Sequence, residues 1–388
     1  MFDQNKIYEF SGSHYDMGFQ QGKIFAEMAE EALNMFQNLE EIQSLKPEEL
    51  PIDVFMKFAS KKAFRSLNRF LKKYAPNQAE RLKGMAEGSR LDEKLMYLFS
   101  AAELFLGELD WEVPHLQTGC TSIAYKSTKT ESGHTMVSRN FDYARFIVPY
   151  LFLKDDRPKD YFRNFSLTAM VLPGTFNGAN EHGVFIGTDE AFPLKEKEEG
   201  LSASIIIQEA LENCGNTEEV VKFFEKMPRG SGNVILVADP SDDIRVLEYT
   251  SKTFRVRKPY EGDDFIVGTN HYTFEDLKTI DIPREAVFSK KSPKCLWGIC
   301  INETSYVRKE TAERMIREKE KVNTEWLQKL HRDHSVSSDG QGGMETICHH
   351  DPANISAASM IIDLETFESW FCFGLPCENE YNKFKLKN

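Results

Sequence analysis

Apolar and polar residues follow different patterns in the first part of the chain and in the remainder. Before about residue 110, apolar positions recur every three or four residues, a spacing that is typical of amphipathic helices. Residues 7–12 are predicted as a short strand. The helices predicted after it cover residues 15–35, 53–74, 77–86 and 92–105. From Gly119 onward, short runs rich in β-branched and aromatic residues predict a body with many strands.

This second part contains a series of predicted strands and four predicted helices. The strands cover residues 165–172, 184–187, 233–238, 244–249, 253–256, 265–267, 346–348, 357–364 and 369–373. Residues 202–214 and 217–227 have the pattern of an antiparallel helix pair, and two charged helices are predicted over 307–320 and 324–331. Strands covered by helices in mixed order predict a layered α+β fold behind an N-terminal helical segment.

One local pattern is a predicted hairpin around the first cysteine of the chain. Residues 119–125 and 135–142 are strand-like and are joined by a polar turn. Antiparallel partners have a constant sum of residue numbers, so a turn centred near residues 130–131 places Cys120 opposite residues 139–142. A thiol and several polar side chains would then meet at one end of a two-stranded ribbon.

Two of those side chains, Arg139 and Asp142, would offer a guanidinium and a carboxylate to the thiol. They are three residues apart, so in an ideal strand they point to opposite faces. Both reach Cys120 only if the strand contains a bulge or ends before Asp142.

Composition and charge narrow the class of protein. The chain has 388 residues, which is long enough for one large domain or two ordinary ones, and 41% of them are hydrophobic with 29 Phe, which is ample for a substantial core. A net charge of -13 argues against a surface that follows nucleic-acid phosphates. The chain contains no apolar run of about 18 residues, so no membrane span is expected.

The cysteines and the N-terminus bear on the cellular compartment. The 7 cysteines are an odd number at irregular spacings and do not predict a disulfide framework. The first residues lack the apolar stretch of a signal peptide. We therefore expect a soluble protein of the cytoplasm with free thiols.

The setting of Cys120 favours a nucleophile, although a cysteine is most often a small buried apolar residue. If its thiol attacked the Gly119 carbonyl, an N-to-S acyl shift and hydrolysis would leave Cys120 as a new N-terminus. Its α-amine, with an ordinary pKa near 7.7–8.0, would then serve as base for its own thiol. Arg139 would favour the thiolate and Asp142 would hold the ammonium.

The segments 119–122 and 138–142 resemble those of the N-terminal-nucleophile (Ntn) cysteine hydrolases. The nearest resemblance is to the acyl-coenzyme A:6-aminopenicillanic acid acyltransferase family, with choloylglycine hydrolases and penicillin V acylases as more distant relatives. Further segments resemble motifs of that family in the same order along the chain: 12–18 with Gly22, 180–183, 269–272, 305–308 and 374–377.

The resemblance implies a four-layer αββα sandwich and self-cleavage between Gly119 and Cys120. The resulting pieces, residues 1–119 and 120–388, would stay packed together as one globular unit. In that mechanism Cys120 is both nucleophile and base, and Asp142 orients its α-amine.

The resemblance also assigns roles to three more residues. Arg139 would lie beside the thiolate, and Arg308 would complete the polar network behind it. Asn270 would donate its side-chain amide to the tetrahedral oxyanion. Considered without the family, Arg308 fits an ordinary solvated ion pair, and Asn270 fits a polar residue at a strand end.

One region departs from the pattern of the distant relatives. They carry a second oxyanion Asn on the strand after the turn that here contains Asn180, whereas this chain has Asp189 and Glu190. A carboxylate cannot stabilise an oxyanion unless it is protonated. Either a backbone N–H replaces the Asn, or Asp189 or Glu190 at a pocket rim binds a cationic group of the substrate, or the segment is a solvated turn. The second interpretation is preferred, with Asn180 and His271 as further candidates for substrate binding.

Residues 348–351, Cys-His-His-Asp, offer groups that could hold a metal. Adjacent His side chains in a strand diverge, however, and no C-x-x-C or H-E-x-x-H motif accompanies them. We therefore expect no metal and no other cofactor, apart from a coenzyme A thioester as a conceivable acyl donor.

The sequence thus predicts an autoproteolytic amidohydrolase or acyltransferase that acts on a linear N-acyl amide through a thioester on Cys120. Its expected partners are that small-molecule substrate and its own fragment 1–119, without nucleic acid or membrane, while homo-oligomerisation is left open. One alternative is an uncleaved hydrolase that pairs Cys120 with His271. Another is a catalytically silent binding protein of the same fold.

Overall fold

The structure is a computed structural model that describes residues 2–38, 42–43, 46–101, 104, 119–230, 232–290, 297–351 and 354–385. Among the helices of this described part, none is both long and apolar enough to cross a membrane. The helices are α1 His14–Ile24, α2 Ala26–Asn38, α3 Ile52–Tyr74, α4 Pro76–Ser89, α5 Glu93–Ser100, α6 Ala203–Asn213, α7 Thr217–Lys226, α8 Glu275–Lys278, α9 Glu303–Arg317 and α10 Thr324–His331.

The strands form two sheets. In chain order they are β1 Ile7–Gly12, β2 Thr121–Tyr125, β3 Met136–Ala144, β4 Leu151–Pro158, β5 Asn164–Ala169, β6 Asn177–Asn180, β7 Phe185–Ala191, β8 Gly232–Ala238, β9 Ile244–Tyr249, β10 Phe254–Arg257, β11 Phe265–Gly268, β12 Asn354–Asp363, β13 Glu368–Phe373 and β14 Asn382–Lys385. The first sheet has 8 strands in the order β1-β4-β5-β6-β7-β8-β9-β10, and the second has 6 in the order β11-β2-β3-β12-β13-β14.

The two sheets face each other, and helices cover both outer surfaces. Because successive residues of a strand point to opposite faces, one strand contributes side chains to two hydrophobic layers. In β8, Val234 packs between the sheets while Ile235 packs in the layer of α6 and α7. In β2, Ala124 faces the interior, whereas Ile123 and Tyr125 pack in the layer of α9 and α10. The predicted four-layer αββα fold is therefore confirmed.

The N-terminal segment is built into this sandwich. Strand β1 pairs with β4 in parallel, from Ile7 beside Leu153 to Gly12 beside Pro158, and so forms the edge of the larger sheet. Whether the chain is divided at the bond between residues 119 and 120 stays a prediction.

Helices α1 and α4 approach each other at van der Waals distance along four glycines, residues 18, 22, 84 and 88. A Cβ added at Gly84 would lie 2.1 Å from the carbonyl oxygen of Tyr15, and one added at Gly18 would lie 2.1 Å from that of Arg81. Only glycine permits this contact.

Most predicted elements agree with the structure, including 244–249 and 324–331 at both ends. The helix predicted over 15–35 is two helices, α1 and α2, and residues 101–105 of another predicted helix lie partly outside the described residues. The strand predicted over 346–348 is wrong. These residues form bends, because the Thr346 hydroxyl binds the backbone of Gly343.

Candidate active site

The hairpin predicted around Cys120 is confirmed. Strands β2 and β3 pair with Thr121 opposite Asn140 and Tyr125 opposite Met136, so the turn is centred where expected. Cys120 immediately precedes β2, and its side chain is 1% exposed. The thiol therefore lies inside the sandwich, at one end of the ribbon.

Arg139 lies in β3 beside this thiol and is fully buried. Its Nη2 is 3.3 Å from Cys120 Sγ and also donates to the carbonyl oxygen of Thr188. Its Nε donates to Ser122 Oγ at 3.0 Å and its Nη1 to Asn177 Oδ1 at 2.7 Å. These contacts fix a cation next to the sulfur. Sequence reasoning found the cation but missed the side chains that orient it.

Asp142 approaches the thiol differently. Its carbonyl oxygen lies 3.7 Å from Cys120 Sγ, while its carboxylate accepts a hydrogen bond from Ser356 Oγ at 2.6 Å through Oδ1. Strand β3 runs through to Ala144, and the register shift lies in β12 between Ser356 and Ala358. The bulge is therefore in the neighbouring strand. Of the two side chains predicted to reach the sulfur, only that of Arg139 contacts it.

The carboxylate of Asp142 faces the peptide bond that precedes Cys120. Its Oδ2 is buried, has no hydrogen-bond partner within the described part of the chain, and would lie 3.1 Å from a Cβ built on Gly119. Burial raises the pKa of Asp142, although His349 and Arg308 act in the opposite direction. This carboxyl group is therefore suited to hold a proton next to the backbone of Gly119.

His349 is a component of the site that sequence reasoning missed. Its Nδ1 lies 3.9 Å from Asp142 Oδ2, and its Nε2 lies 2.6 Å from Asp351 Oδ2. A Cβ at Gly119 would come within 2.6 Å of the same Nδ1, so the imidazole leaves no room for a side chain there. The only sequence signal was the run 348–351, which was considered for metal binding alone.

The family resemblance gave separate roles to Asn270 and Arg308, and the structure places these two side chains in contact. Arg308 in α9 is buried and donates from Nη2 to Asn270 Oδ1 at 3.0 Å and from Nη1 to the Met344 carbonyl at 2.8 Å. The Asn270 amide donates from Nδ2 to the Glu190 carbonyl at 2.9 Å, and its backbone N–H donates to Ser305 Oγ. The side-chain amide is thus held in one orientation, and Arg308 is not a solvated surface cation.

These residues border a cavity of about 30 Å³. Its lining includes Gly119, Phe192, Asn270, Asp281, Ser305, Arg308, Met344 and His349. A water molecule needs roughly 10–15 Å³ by this measure, so the cavity has room for about two waters. It is too small for an acyl chain while Gly119 remains in its wall.

Asp189 is not at a pocket rim, so the interpretation that it binds a substrate cation is wrong. It is fully buried beneath the hairpin, where it accepts a hydrogen bond from Ser122 Oγ at 2.7 Å and lies 3.5 Å from Arg139 Nε. Burial raises its pKa to about 6, and Arg139 limits the rise. Asp189 therefore compensates the charge of Arg139 inside the protein.

Among the other candidates for substrate binding, Asn180 has a structural role. Its Nδ2 donates to the carbonyls of Leu211 and Cys214 at the end of α6, and its Oδ1 accepts from the backbone N–H groups of His182 and Val184. All its hydrogen-bonding capacity is directed at the backbone, which contradicts the predicted role. Glu190 is half-buried, and its predicted role stays untested.

His271 is also directed away from the thiol. Its Nδ1 lies 2.8 Å from Ser305 Oγ, its ring stacks on Tyr306 at 3.6 Å, and burial lowers its pKa well below the ordinary value. Within the described residues, the hydrogen-bond partners of the Cys120 thiol are Arg139 and Asp142. The geometry therefore gives no support to a pairing of Cys120 with His271.

A buried thiol at the start of an inner strand, within a four-layer αββα sandwich, defines the class of this protein as an Ntn-hydrolase fold. The sequence profile of the acyl-coenzyme A:6-aminopenicillanic acid acyl-transferase family matches residues 128–376. Because this match covers more than half of the chain, the protein belongs to that family. The matched range includes Arg139, Asp142, Asn270 and Arg308 and begins after Cys120.

Solved structures of low sequence identity resemble parts of the chain. An N-acylethanolamine-hydrolyzing acid amidase orthologue from Caenorhabditis elegans is 14% identical, covers 63% of this chain and 93% of its own, and has a TM-score of 0.41. A single-residue variant of a conjugated bile acid hydrolase from Clostridium perfringens is 13% identical, covers 69% and 97%, and has a TM-score of 0.44. Penicillin V acylase from Agrobacterium tumefaciens is 16% identical, covers 66% and 83%, and has a TM-score of 0.37. No curated protein sequence matches the chain.

Proposed function

We propose that the protein cuts its own chain between Gly119 and Cys120 and then cleaves linear N-acyl amides through a thioester on Cys120. One observation carries this proposal. The thiol lies 3.3 Å from the Arg139 guanidinium, while the Asp142 carboxylate oxygen that lacks a partner in the described part of the chain lies beside Gly119. A nucleophile and a carboxyl group whose pKa is raised by burial thus border one peptide bond.

In the self-cleavage step, the sulfur of Cys120 attacks the carbonyl carbon of Gly119. The Asp142 carboxyl group donates a proton to the nitrogen of Cys120 and regains one from the thiol by way of water, the C–N bond breaks, and a thioester forms between Gly119 and the sulfur. Water then attacks the thioester carbon and the C–S bond breaks. The products are a carboxylate on Gly119, a free thiol and an α-ammonium group on Cys120, for which the Asp142 carboxylate is the adjacent counter-ion.

The groups around the bond are suited to this sequence of events. Burial raises the pKa of the Cys120 thiol, whereas Arg139 acts against that rise, so the sulfur is protonated at neutral pH until Arg139 stabilises the developing thiolate. His349, oriented by Asp351, provides a second polar atom next to Gly119. Departure of Gly119 would also remove one wall of the 30 Å³ cavity and open a path to the sulfur.

With substrate, the free α-amine accepts the thiol proton and the sulfur attacks the acyl carbon of the amide. Negative charge develops on the acyl oxygen, and we assign the Asn270 amide, which Arg308 and the Glu190 carbonyl hold in one orientation, as its hydrogen-bond donor. The C–N bond of the substrate breaks as its amine takes up the proton, which leaves an acyl thioester on Cys120. Water completes a hydrolysis, whereas an amine completes an acyl transfer. Family membership supports both, and a coenzyme A thioester is a candidate donor for the second.

The test begins with the intact mass of the purified wild-type protein, of Cys120→Ala and of Cys300→Ser. We expect two chains, 1–119 and 120–388, from the wild type and from Cys300→Ser, and one uncut chain from Cys120→Ala. Each is then incubated with a panel of linear N-acyl amides, and an acyl adduct is sought on the fragment that begins with Cys120.

Each outcome separates this proposal from its alternatives. A single uncut chain that turns over amides would support a conventional cysteine hydrolase and refute self-cleavage. Two chains without adduct or turnover across the panel would favour a silent binding protein. Amide turnover by Cys120→Ala would overturn the proposal altogether. Adding a simple amine as acceptor distinguishes transfer from hydrolysis, because transfer yields a new amide in place of the free acid.

A further inference from the structure

Four side chains that commonly bind metals converge in a part of the fold that the mechanism does not use. His334, Cys348, His350 and Cys377 each offer a ligand atom, and these atoms all lie within 4.8 Å of one another. His350 Nε2 lies 3.4 Å from Cys348 Sγ and 3.3 Å from Cys377 Sγ. We propose that these four side chains bind one zinc ion that holds this part of the fold together.

The observed distances fit a tetrahedral zinc site. With Zn–S near 2.3 Å and Zn–N near 2.0–2.1 Å, the sulfur-to-nitrogen edges of the tetrahedron are about 3.6 Å. The two measured edges are 3.3 and 3.4 Å, so a zinc ion enters with shifts of a few tenths of an ångström. The ring nitrogen Nε2 of His334 is buried and has no hydrogen-bond partner in the described part of the chain. Coordination would satisfy this atom.

Three separate segments of the chain are fastened to one another around the four ligands. The backbone N–H of Cys348 donates to the Asp333 carbonyl at 3.2 Å, next to His334. Arg332 Nε donates to the Pro376 carbonyl at 2.6 Å, which ties the segment carrying Cys377 to the same place. These contacts bring the ligands together, and a zinc ion would add bonds that link the same three segments.

A glycine lines the cluster where no other residue fits. Gly342 has a φ of +93°, and a Cβ built on it would lie 2.7 Å from His350 Cδ2 and 3.2 Å from His334 Cδ2. Both the backbone conformation and the space exclude a side chain. The loop therefore passes closely over both imidazoles and covers the cluster.

The four ligands favour zinc over other metals and a structural role over a catalytic one. Two thiolates with two neutral imidazoles in a tetrahedron favour zinc, and four protein ligands leave no open position for substrate, which is typical of structural sites. On binding, Cys348 and Cys377 each release a proton to solvent, and the two thiolates balance the charge of the ion. No oxidation or reduction takes place.

Residues 348–351 supply side chains to two different places. His349 and His350 diverge as the sequence predicted, because His349 faces Gly119 and Asp142 while His350 faces the cluster. However, Cys348 and His350 are two residues apart and share one side. Their further ligands, His334 and Cys377, come from distant parts of the sequence, so a local motif could not reveal them.

The experiment uses the full-length protein, stripped with a chelator and reconstituted with zinc sulfate, followed by metal analysis. We expect one zinc per chain in the wild type, in Cys300→Ser and in Cys120→Ala. We expect at least about a tenfold loss of zinc affinity in Cys377→Ser and in His334→Gln. The Cys120→Ala protein separates this test from the proposed catalysis, since it should keep the metal while losing self-cleavage.

Cobalt provides a second measurement that reports the ligands directly. We expect cobalt-substituted wild-type protein to show the visible bands of a tetrahedral thiolate site, and Cys377→Ser to lose them while its circular dichroism stays that of a folded protein. Cys377 is exposed and His334 half-exposed, so these two substitutions leave the core intact. The proposal is overturned if the reconstituted wild type holds no zinc, if Cys377→Ser binds zinc as tightly as Cys300→Ser, or if peptide mapping finds a disulfide between Cys348 and Cys377.

Discussion

The guanidinium of Arg81 and the carboxylate of Asp156 form a fully buried ion pair through two hydrogen bonds of 2.6 and 2.9 Å. Lys154 Nζ lies 2.9 Å from the same carboxylate. Arg81 belongs to the part of the chain before the bond between Gly119 and Cys120, and the other two residues belong to the part after it. The pair therefore connects the two fragments that self-cleavage would produce, so we expect them to remain associated.

We expect Asp156→Asn to lower the free energy of unfolding by about 3–5 kcal/mol, because Arg81 would remain buried with a neutral partner. Urea unfolding of the variant and of wild type measures the difference. Glu48→Gln, at an exposed position, serves as control and should change little. A loss below about 1 kcal/mol for Asp156→Asn, as for a surface pair, would contradict the interpretation.

Protonation of the Asp156 carboxylate should lower the stability of the fold at low pH. Burial alone would raise the pKa of Asp156, but Arg81 and Lys154 outweigh it and lower the pKa to about 2 from an ordinary 3.8. The stabilisation is thus complete above about pH 4 and is lost as the pH falls through about 2. It amounts to roughly 2 kcal/mol. Unfolding measured between these pH values should show this loss in wild type and not in Asp156→Asn.

The Arg139 guanidinium should accelerate self-cleavage. We expect Arg139→Met to slow the appearance of the two fragments about 10- to 100-fold, since the developing thiolate would lose its adjacent cation. A time course on denaturing gels measures the rate, with Arg157→Met, a half-exposed arginine, as control. Circular dichroism must show that Arg139→Met is folded. An unchanged rate in the folded variant would mean that the cation has a purely structural role.

Asn270 should act on the rate of substrate turnover more than on binding. Removing one donor to a tetrahedral oxyanion costs about 100- to 1000-fold in kcat. We expect a loss of this size in Asn270→Ala, with little change in KM. Asn302→Ala, which removes another amide from the same cavity, is the matched control. A change confined to KM would place Asn270 in substrate binding instead.

Asp281, which lines the cavity, should make the stability of the fold depend on pH in the direction opposite to that expected for Asp156. Burial raises its pKa from 3.8 to about 7, so ionisation of this group opposes folding. Its favourable contribution is present at low pH and is lost as the pH rises through about 7. We expect Asp281→Asn to be more stable than wild type at pH 8 and similar below about pH 4, because the loss in wild type begins above the unfolded pKa of 3.8. Glu261→Gln, an exposed control, should show no such difference.

The contact between α1 and α4 should tolerate no methyl group. In Gly84→Ala the new Cβ would lie 2.1 Å from the Tyr15 carbonyl, so the helices must separate. We expect a loss of at least about 1–3 kcal/mol, or failure to fold. Gly215→Ala is the matched control, because a Cβ there lies 3.6 Å from the Glu219 carboxylate and meets no closer atom. Thermal unfolding of both variants tests the contrast, and equal melting temperatures would refute it.

One strand that the sequence failed to predict, β4, has an apolar pattern that is interrupted by charge. β4 contains Lys154, Asp155 and Asp156 and therefore resembles a loop, yet all three are buried. Their burial depends on partners such as Arg81 that lie far away in sequence. By contrast β9, in which four of the six residues are apolar (Ile244, Val246, Leu247 and Tyr249), was predicted at both ends. Local periodicity identifies an element when its own residues determine burial, and fails when a distant partner does.

The same distinction applies to the candidate site. The hairpin of Cys120 and Arg139 was predictable, because antiparallel register follows from the position of one turn. His349 was not, since more than 200 residues separate it from the glycine that it contacts. The wrong prediction that Asp189 lies at a pocket rim has a related cause. A carboxylate in a sequence is taken to face solvent until the buried cation that neutralises it, here Arg139, is known.

The alternating directions of residues 348–351 make their spacing as important as their identity. Cys348 and His350 point to one side, and His349 and Asp351 take part on the other. Inserting or deleting a single amino acid in this stretch would exchange the two sets of side chains and damage both places at once. A substitution that leaves the length of the segment unchanged would affect only one of the two sites. Substitutions can therefore change the cysteine–histidine cluster and the site beside Gly119 independently, whereas insertions and deletions cannot.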